Sequence, residues 1–224
     1  MEAQAWRIAP RWPAKKISAL RFGLQAAIGW LQYPNMDINE ARDELWQLLA
    51  ERSVLLGEFT LKSGAKSNFY FDGRQTALHP RGARLIGEVV HALIREKESA
   101  AGISVDSVGG LTMGADPLSV SVAVRSDLVG DEKPLNALVI RKEPKDHGAG
   151  KQVEGPFQEG DIVAVVDDTI TTAGSTITAI EAIEREGGKV AFVVCLVDRE
   201  EGGRENLEGK GYDFFPVFVK SEFL

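Results

Sequence analysis

Apolar and polar positions along the chain alternate between two periods, and the sharpest pattern is an apolar run that ends in two acids. Ile162-Val163-Ala164-Val165-Val166 lies between Gly160 and Asp167, and such a run predicts a strand buried on both faces. After Asp167 and Asp168 comes a stretch of small and hydroxyl residues, then a helix with Ile177, Ile180 and Ile183 on one face and Gly187-Gly188 as its stop. Residues 190–197 form a second apolar run, which completes a strand–loop–helix–strand unit. Upstream, helical spacing over 39–52 places Ala41, Leu45, Leu48 and Leu49 together, and over 81–96 it places Leu85, Ile86, Val89, Val90, Leu93 and Ile94 together. Residues 59–72 read as a hairpin around Gly64 that ends in an aromatic strand. A strand near 106–108, a short helix over 118–124 and a buried strand over 135–140 fill the interval. Alternating strands and helices predict an α/β fold.

The 224 residues suit one such domain, and 44% hydrophobic content suffices for its core. Residues 1–37 differ in character: Trp6, Trp12 and Trp30 stand among Arg7, Arg11, Lys15, Lys16 and Arg21. They are expected to be an extension of unknown role, with residues 17–31 able to form an amphipathic helix, preceding a domain over 38–224. The extension lacks the apolar core and cleavage site of a secretory signal, and its apolar runs are too short to span a membrane. A formal charge of −7 argues against general nucleic-acid binding. Cys195, the single cysteine, sits inside an apolar strand, where packing is its expected role. One thiol forms no internal disulfide, which suits a reducing cytoplasm. His79 and His91 are expected to be structural or surface residues.

Ligands of open α/β sheets sit beyond the carboxyl ends of the strands. A loop of small residues there lets backbone N–H groups approach a phosphate, and the next helix adds partial positive charge. Two carboxylates beside it would repel a bare phosphate, so they suit sugar hydroxyls or a metal that the ligand brings. Three further stretches fit an anionic ligand. Gly109, Gly110 and Gly114 permit a tight turn before Pro117. The glycine-rich segment 141–151 carries Arg141, Lys142, Lys145, His147 and Lys151 and reads as a mobile anion-binding loop. Tyr70 and Phe71 follow the Lys62 turn, where a planar anionic base could stack. Arg199, at a strand end, either pairs with Glu200 or Glu201 or points into the same crevice.

Residues 163–175 resemble the phosphoribosyl-pyrophosphate motif of type I phosphoribosyltransferases, with Thr169 where an aliphatic residue is usual. Residues 62–71, 109–117, 141–148, 167–175 and 198–203 together, in this order, resemble the orotate phosphoribosyltransferase family, a resemblance that covers the chain from about residue 39 onward. The Arg-Lys-Glu-x-Lys-x-His-Gly stretch is its most specific part. The resemblance implies a central parallel sheet flanked by helices, with a small hood over the base site. It implies transfer of the 5-phosphoribosyl group from phosphoribosyl pyrophosphate (PRPP) to orotate, giving orotidine 5′-monophosphate and pyrophosphate in pyrimidine synthesis. By the same resemblance Lys145, Asp167 and Asp168 are catalytic. Arg141, Lys142, Lys145, His147 and residues Asp167, Asp168, Thr169, Ile170, Thr171, Thr172, Ala173, Gly174 and Ser175 hold PRPP. Lys62, Tyr70, Phe71, Thr171 and Arg199 surround orotate. Magnesium is the implied cofactor, held mainly by PRPP and water rather than by protein ligands. The family forms dimers in which the basic loop reaches the partner's site, and it implies neither a nucleic-acid nor a membrane partner. Met113 stands where some members carry a lysine near the diphosphate. Two other readings are a transferase for a different base and a regulator that kept the fold without catalysis. The retained acid pair, the basic loop and the net charge argue against the regulator.

Overall fold

A computed structural model describes residues 36–60, 66–144 and 151–224. The expected helix at 17–31, the turn at Gly64, and Lys62, Lys145 and His147 lie outside the described residues.

Helix α1 (Ile38–Arg52) is capped by Asp37, whose carboxylate accepts the N–H groups of Asn39 and Glu40. Strands β1 (Val54–Thr60) and β2 (Lys66–Phe71) pair antiparallel as a separate two-stranded sheet. A short helix α2 (Arg74–Ala77) leads into the long α3 (Pro80–Ala101). Proline in the first turn of α3 costs no hydrogen bond there, and Gly102, with φ of 64°, ends the helix in the left-handed region. Then follow β3 (Ser107–Leu111), α4 (Asp116–Leu128), β4 (Asn136–Ile140), β5 (Val153–Glu154), β6 (Ile162–Ile170), α5 (Gly174–Arg185), β7 (Lys189–Asp198), α6 (Gly203–Glu208) and β8 (Phe214–Val219). A 3₁₀ turn (Lys220–Phe223) follows β8.

The main sheet has the order β5-β4-β3-β6-β7-β8. All its pairs are parallel except β4–β5. Strand alternation then builds two cores. Ala164 and Val166 of β6, with Phe192, Val194 and Leu196 of β7, pack toward Leu45, Leu49, Leu85 and Ile86 of α1 and α3. Val163, Val165, Val193 and Cys195 pack on the other face against Ile180 and Ile183 of α5. Val163 to Val166 of β6 and Phe192 to Val197 of β7 are therefore apolar at successive positions, since both faces are covered. The hairpin joins the first core through Phe69 and Phe71, whose rings stack with centroids 6.5 Å apart.

Three differences from the sequence expectation bear on the edge where the motif residues gather. Strand β6 continues past the acid pair to Ile170, because β7 keeps pairing with it through Asp198. Helix α4 begins at Asp116 and runs to Leu128, beyond its apolar stretch, since its polar turns still face the neighbouring α3. Gly109 and Gly110 lie within β3 rather than in a turn; a Cβ on Gly110 would stand 1.9 Å from the Val166 carbonyl oxygen.

Candidate active site

Strands β3, β4, β6 and β7 run parallel, so their carboxyl ends share one edge of the sheet. Thr112, Arg141, Thr171 and Arg199 each follow one of these ends. The fold thereby gathers segments scattered over ninety residues of sequence, roughly, at the edge where α/β sheets bind ligands.

The two acids occupy consecutive positions of β6, so they leave the strand toward opposite faces. Asp167, 5% exposed, continues the row of Val163 and Val165 toward α5. Its Oδ2 accepts hydrogen bonds from Ser175 Oγ (3.2 Å) and Thr176 Oγ1 (3.0 Å), and its Oδ1 accepts the Asp168 N–H (3.0 Å). Burial, and then the charge of Asp168, push its carboxyl up to about 7. Asp168 lies toward α2 and the β3–α4 turn, between two glycines. A Cβ on Gly73 would stand 2.7 Å from Asp168 Oδ2, and one on Gly114 would stand 2.6 Å from Oδ1. Burial raises the Asp168 carboxyl as well, while the guanidinium of Arg74 opposes that rise. Arg74 is itself held by two bonds to Asp72, of 2.8 and 3.1 Å.

Between β6 and α5 the loop is braced from below and open above. Ile170 is buried in the second core, so its backbone alone borders the loop. Asn206 Nδ2 donates to the Thr172 carbonyl (3.0 Å), and the start of α6 packs on Ile170 and Thr171 at Gly203. Ala173 takes φ of 65°, a left-handed backbone that an L-residue adopts at a cost. It turns the chain so that α5 begins without a side-chain cap. Thr172, Gly174 and Ser175 are exposed there, and beyond Gly174 the space is open. Backbone N–H groups at an uncapped helix start, with hydroxyls around them, suit a phosphate.

On the hairpin side, β2 alternation buries Phe71 against Phe69 and Phe223 and turns Tyr70 outward, 37% exposed. Arg199 is buried; its N–H donates to the Ile170 carbonyl (2.9 Å), tying it to the end of β6. Its guanidinium lies 2.9 Å from Glu201 and 5.8 Å from the centre of the Phe69 ring, while its Nε has no hydrogen-bond partner among the described residues. Lys220 approaches the same ring at 5.7 Å. Arg141 and Lys142 are exposed at the end of β4, which β3 separates from β6.

Four contributors were absent from the sequence expectation: Gly73, Arg74, Thr176 and Lys220. For Thr176 the signal was present, one residue beyond the hydroxyl stretch. Gly73 and Arg74 directly follow the aromatic strand, and only the folded chain brings them to Asp168. Among the described residues no group of three or more His, Cys, Asp or Glu side chains is placed to hold a metal ion. No described helix is long and apolar enough to cross a membrane.

A parallel sheet whose edge presents an acid pair, an uncapped helix start and a hydroxyl loop is built to hold a phosphorylated sugar. Comparison with known proteins agrees in sequence and in fold. An orotate phosphoribosyltransferase of Rhodopirellula baltica is 40% identical over 176 residues, covering 79% of this chain and 90% of that protein. That of Aquifex aeolicus is 39% identical over 186 residues, covering 82% and 97%. The Mycobacterium tuberculosis orotate phosphoribosyltransferase, solved in complex with 5-phospho-alpha-D-ribosyl 1-diphosphate, superposes with a TM-score of 0.65 at 34% identity, covering 82% and 98%. No family model matches the chain. The chain belongs to the orotate phosphoribosyltransferase family.

Proposed function

We propose that this protein transfers the 5-phosphoribosyl group of PRPP to orotate, releasing pyrophosphate and forming orotidine 5′-monophosphate. The observation that carries this reading is the acid pair of β6 set against the uncapped start of α5, in a chain of this family. The 5′-phosphate binds the backbone N–H groups and hydroxyls of Thr171, Thr172, Ala173, Gly174 and Ser175. Asp168, open between its glycines, accepts the ribose hydroxyls. Asp167 stays bonded to Ser175 and Thr176, so it aligns the loop with the sugar.

Breaking the anomeric C–O bond leaves positive charge on the ribose and negative charge on the departing diphosphate. Arg141, Lys142, Lys145 and His147 stabilise the leaving group, which only preorganised charge does at low reorganisation cost. Closure of their loop excludes water that would hydrolyse the sugar. Orotate is already an anion, so no strong base is required. It lies against Tyr70, with its carboxylate on Arg199, which exchanges Glu201 for the substrate; Lys62 and Thr171 complete its surroundings. Phe71, being buried, shapes this side from beneath.

The acids present suit magnesium carried by the diphosphate, with Asp168 able to reach it through water or the ribose hydroxyls. When bound, magnesium neutralises diphosphate charge. We further propose a cytoplasmic homodimer in which the basic loop serves the partner's site, with residues 38–224 as the catalytic domain and residues 1–37 as an extension that precedes it.

Incubation with orotate, PRPP and magnesium, followed by orotate absorbance, tests the activity; no loss of orotate would refute it. Replacement of Arg199 by Leu is expected to raise KM for orotate far more than KM for PRPP. Equal rises would make Arg199 structural.

A further inference from the structure

Gln152 stands just before β5, outside every segment assigned above, yet it is 5% exposed and uses both ends of its amide. Its Nε2 donates to the carbonyls of Arg141 (2.7 Å) and Lys142 (3.2 Å). Its own carbonyl accepts the Arg141 N–H (2.9 Å). On the other side its Oε1 accepts from Arg185 (3.0 Å), the last residue of α5. Its N–H donates to Glu186 Oε1 (2.5 Å), which also accepts the Val153 N–H (3.1 Å). A cavity of about 360 Å³, lined by Pro144, Lys151 and Phe157 among others, adjoins this network. Hydrogen bonds rather than close packing therefore hold Arg185 and Glu186 in place.

We propose that Gln152 is a positioning residue for PRPP. It locks the backbone of Arg141 and Lys142 and ties that backbone to the far end of α5. The near end of α5 forms this subunit's phosphate loop, so one rigid helix sets where Arg141 and Lys142 stand as they reach the diphosphate in the partner's site. Only an amide does this: it donates to two backbone carbonyls while accepting from a guanidinium. Displacement of bound charges by about 1 Å is enough to matter greatly in such a site. The inference rests on the function proposed above, specifically on Arg141 and Lys142 binding PRPP.

The test compares Gln152→Glu with Gln152→Ala in the full-length protein. Glutamate keeps the contact to Arg185 but cannot donate to the two carbonyls, so it separates positioning from support of α5. Both variants are expected to raise KM for PRPP about tenfold, the scale of one or two lost hydrogen bonds. KM for orotate should stay within about twofold on the same reasoning. Calorimetric titration with PRPP should show the same weakening, and it carries the test for Gln152→Glu if Gln152→Ala does not fold. A wild-type KM for PRPP in Gln152→Glu overturns the inference, as do equal losses for both substrates. If the wild-type protein shows no turnover, the function reading falls and this inference falls with it; if it turns over normally and Gln152→Glu matches it, this inference falls alone.

Discussion

Asp168 is held between two residues that have no side chains, and this sets how little the site tolerates. A methyl group on Gly114 would stand 2.6 Å from Asp168 Oδ1 and 3.0 Å from Asp167 Oδ1. Gly114→Ala must therefore move the carboxylate that receives the ribose. Turnover is expected to fall about a hundredfold, with thermal stability close to wild type. Unchanged steady-state rates would remove Asp168 from the site. Asp167 yields a pH prediction. Its folded carboxyl is raised from 3.8 to about 7, so across that window folding takes up a proton. Wild-type stability should fall as pH rises through the window and stay lower above it. Asn at this position does not titrate. The melting temperature of Asp167→Asn minus that of wild type, measured without ligand, should therefore increase from pH 4 to pH 7. A flat difference would mean that Asp167 is not held in its raised state.

At the scale of elements, helices α3 and α4 meet through a buried ion pair. Arg125 lies 2.8 Å from Glu88, which is 4% exposed, and Gly87 lets the helices approach at Ser121. Removing one partner leaves a buried charge facing the other helix. Glu88→Ala is expected to lose about 3 kcal/mol in urea unfolding, whereas the double replacement Glu88→Leu, Arg125→Leu should recover most of it. A single variant as stable as wild type would show that the remaining surroundings of Arg125 already compensate its charge. Helix α4 matters to the site because its first residue follows the turn that carries Gly114. Thr112 Oγ1 bonds Asp116 Oδ2 there at 2.8 Å.

The whole molecule poses the question of where the basic loop acts. Lys145→Ala and Asp168→Asn chains, each nearly inactive, can be mixed and allowed to exchange subunits. If the loop serves the partner's site, a hybrid dimer has one site with both defects and one with neither. Random pairing makes about half the dimers hybrids, so activity should return to roughly a quarter of wild type. No recovery, with exchange confirmed by mass, would place the loop in its own subunit's site.

Patterns of local origin were legible in the sequence. Apolar runs revealed the buried strands, because a central parallel strand is covered on both faces and is apolar at successive positions, as Val163 to Val166 are. The helix of Ile177, Ile180 and Ile183 followed from its period, and the acid pair with its hydroxyl loop followed from adjacent residues. Strand β8 escaped notice; it is an edge strand interrupted by Pro216, paired on one side. What depends on distant neighbours was decided by tertiary structure alone. Asp167 and Asp168 read as equals, but consecutive strand positions face opposite ways, and one is bonded to α5 while the other lies between Gly73 and Gly114. Tyr70 and Phe71 likewise part company across β2. Gln152 carries no signal in one dimension, since its meaning lies in two carbonyls, a guanidinium and a carboxylate that only the folded chain brings within hydrogen-bond reach.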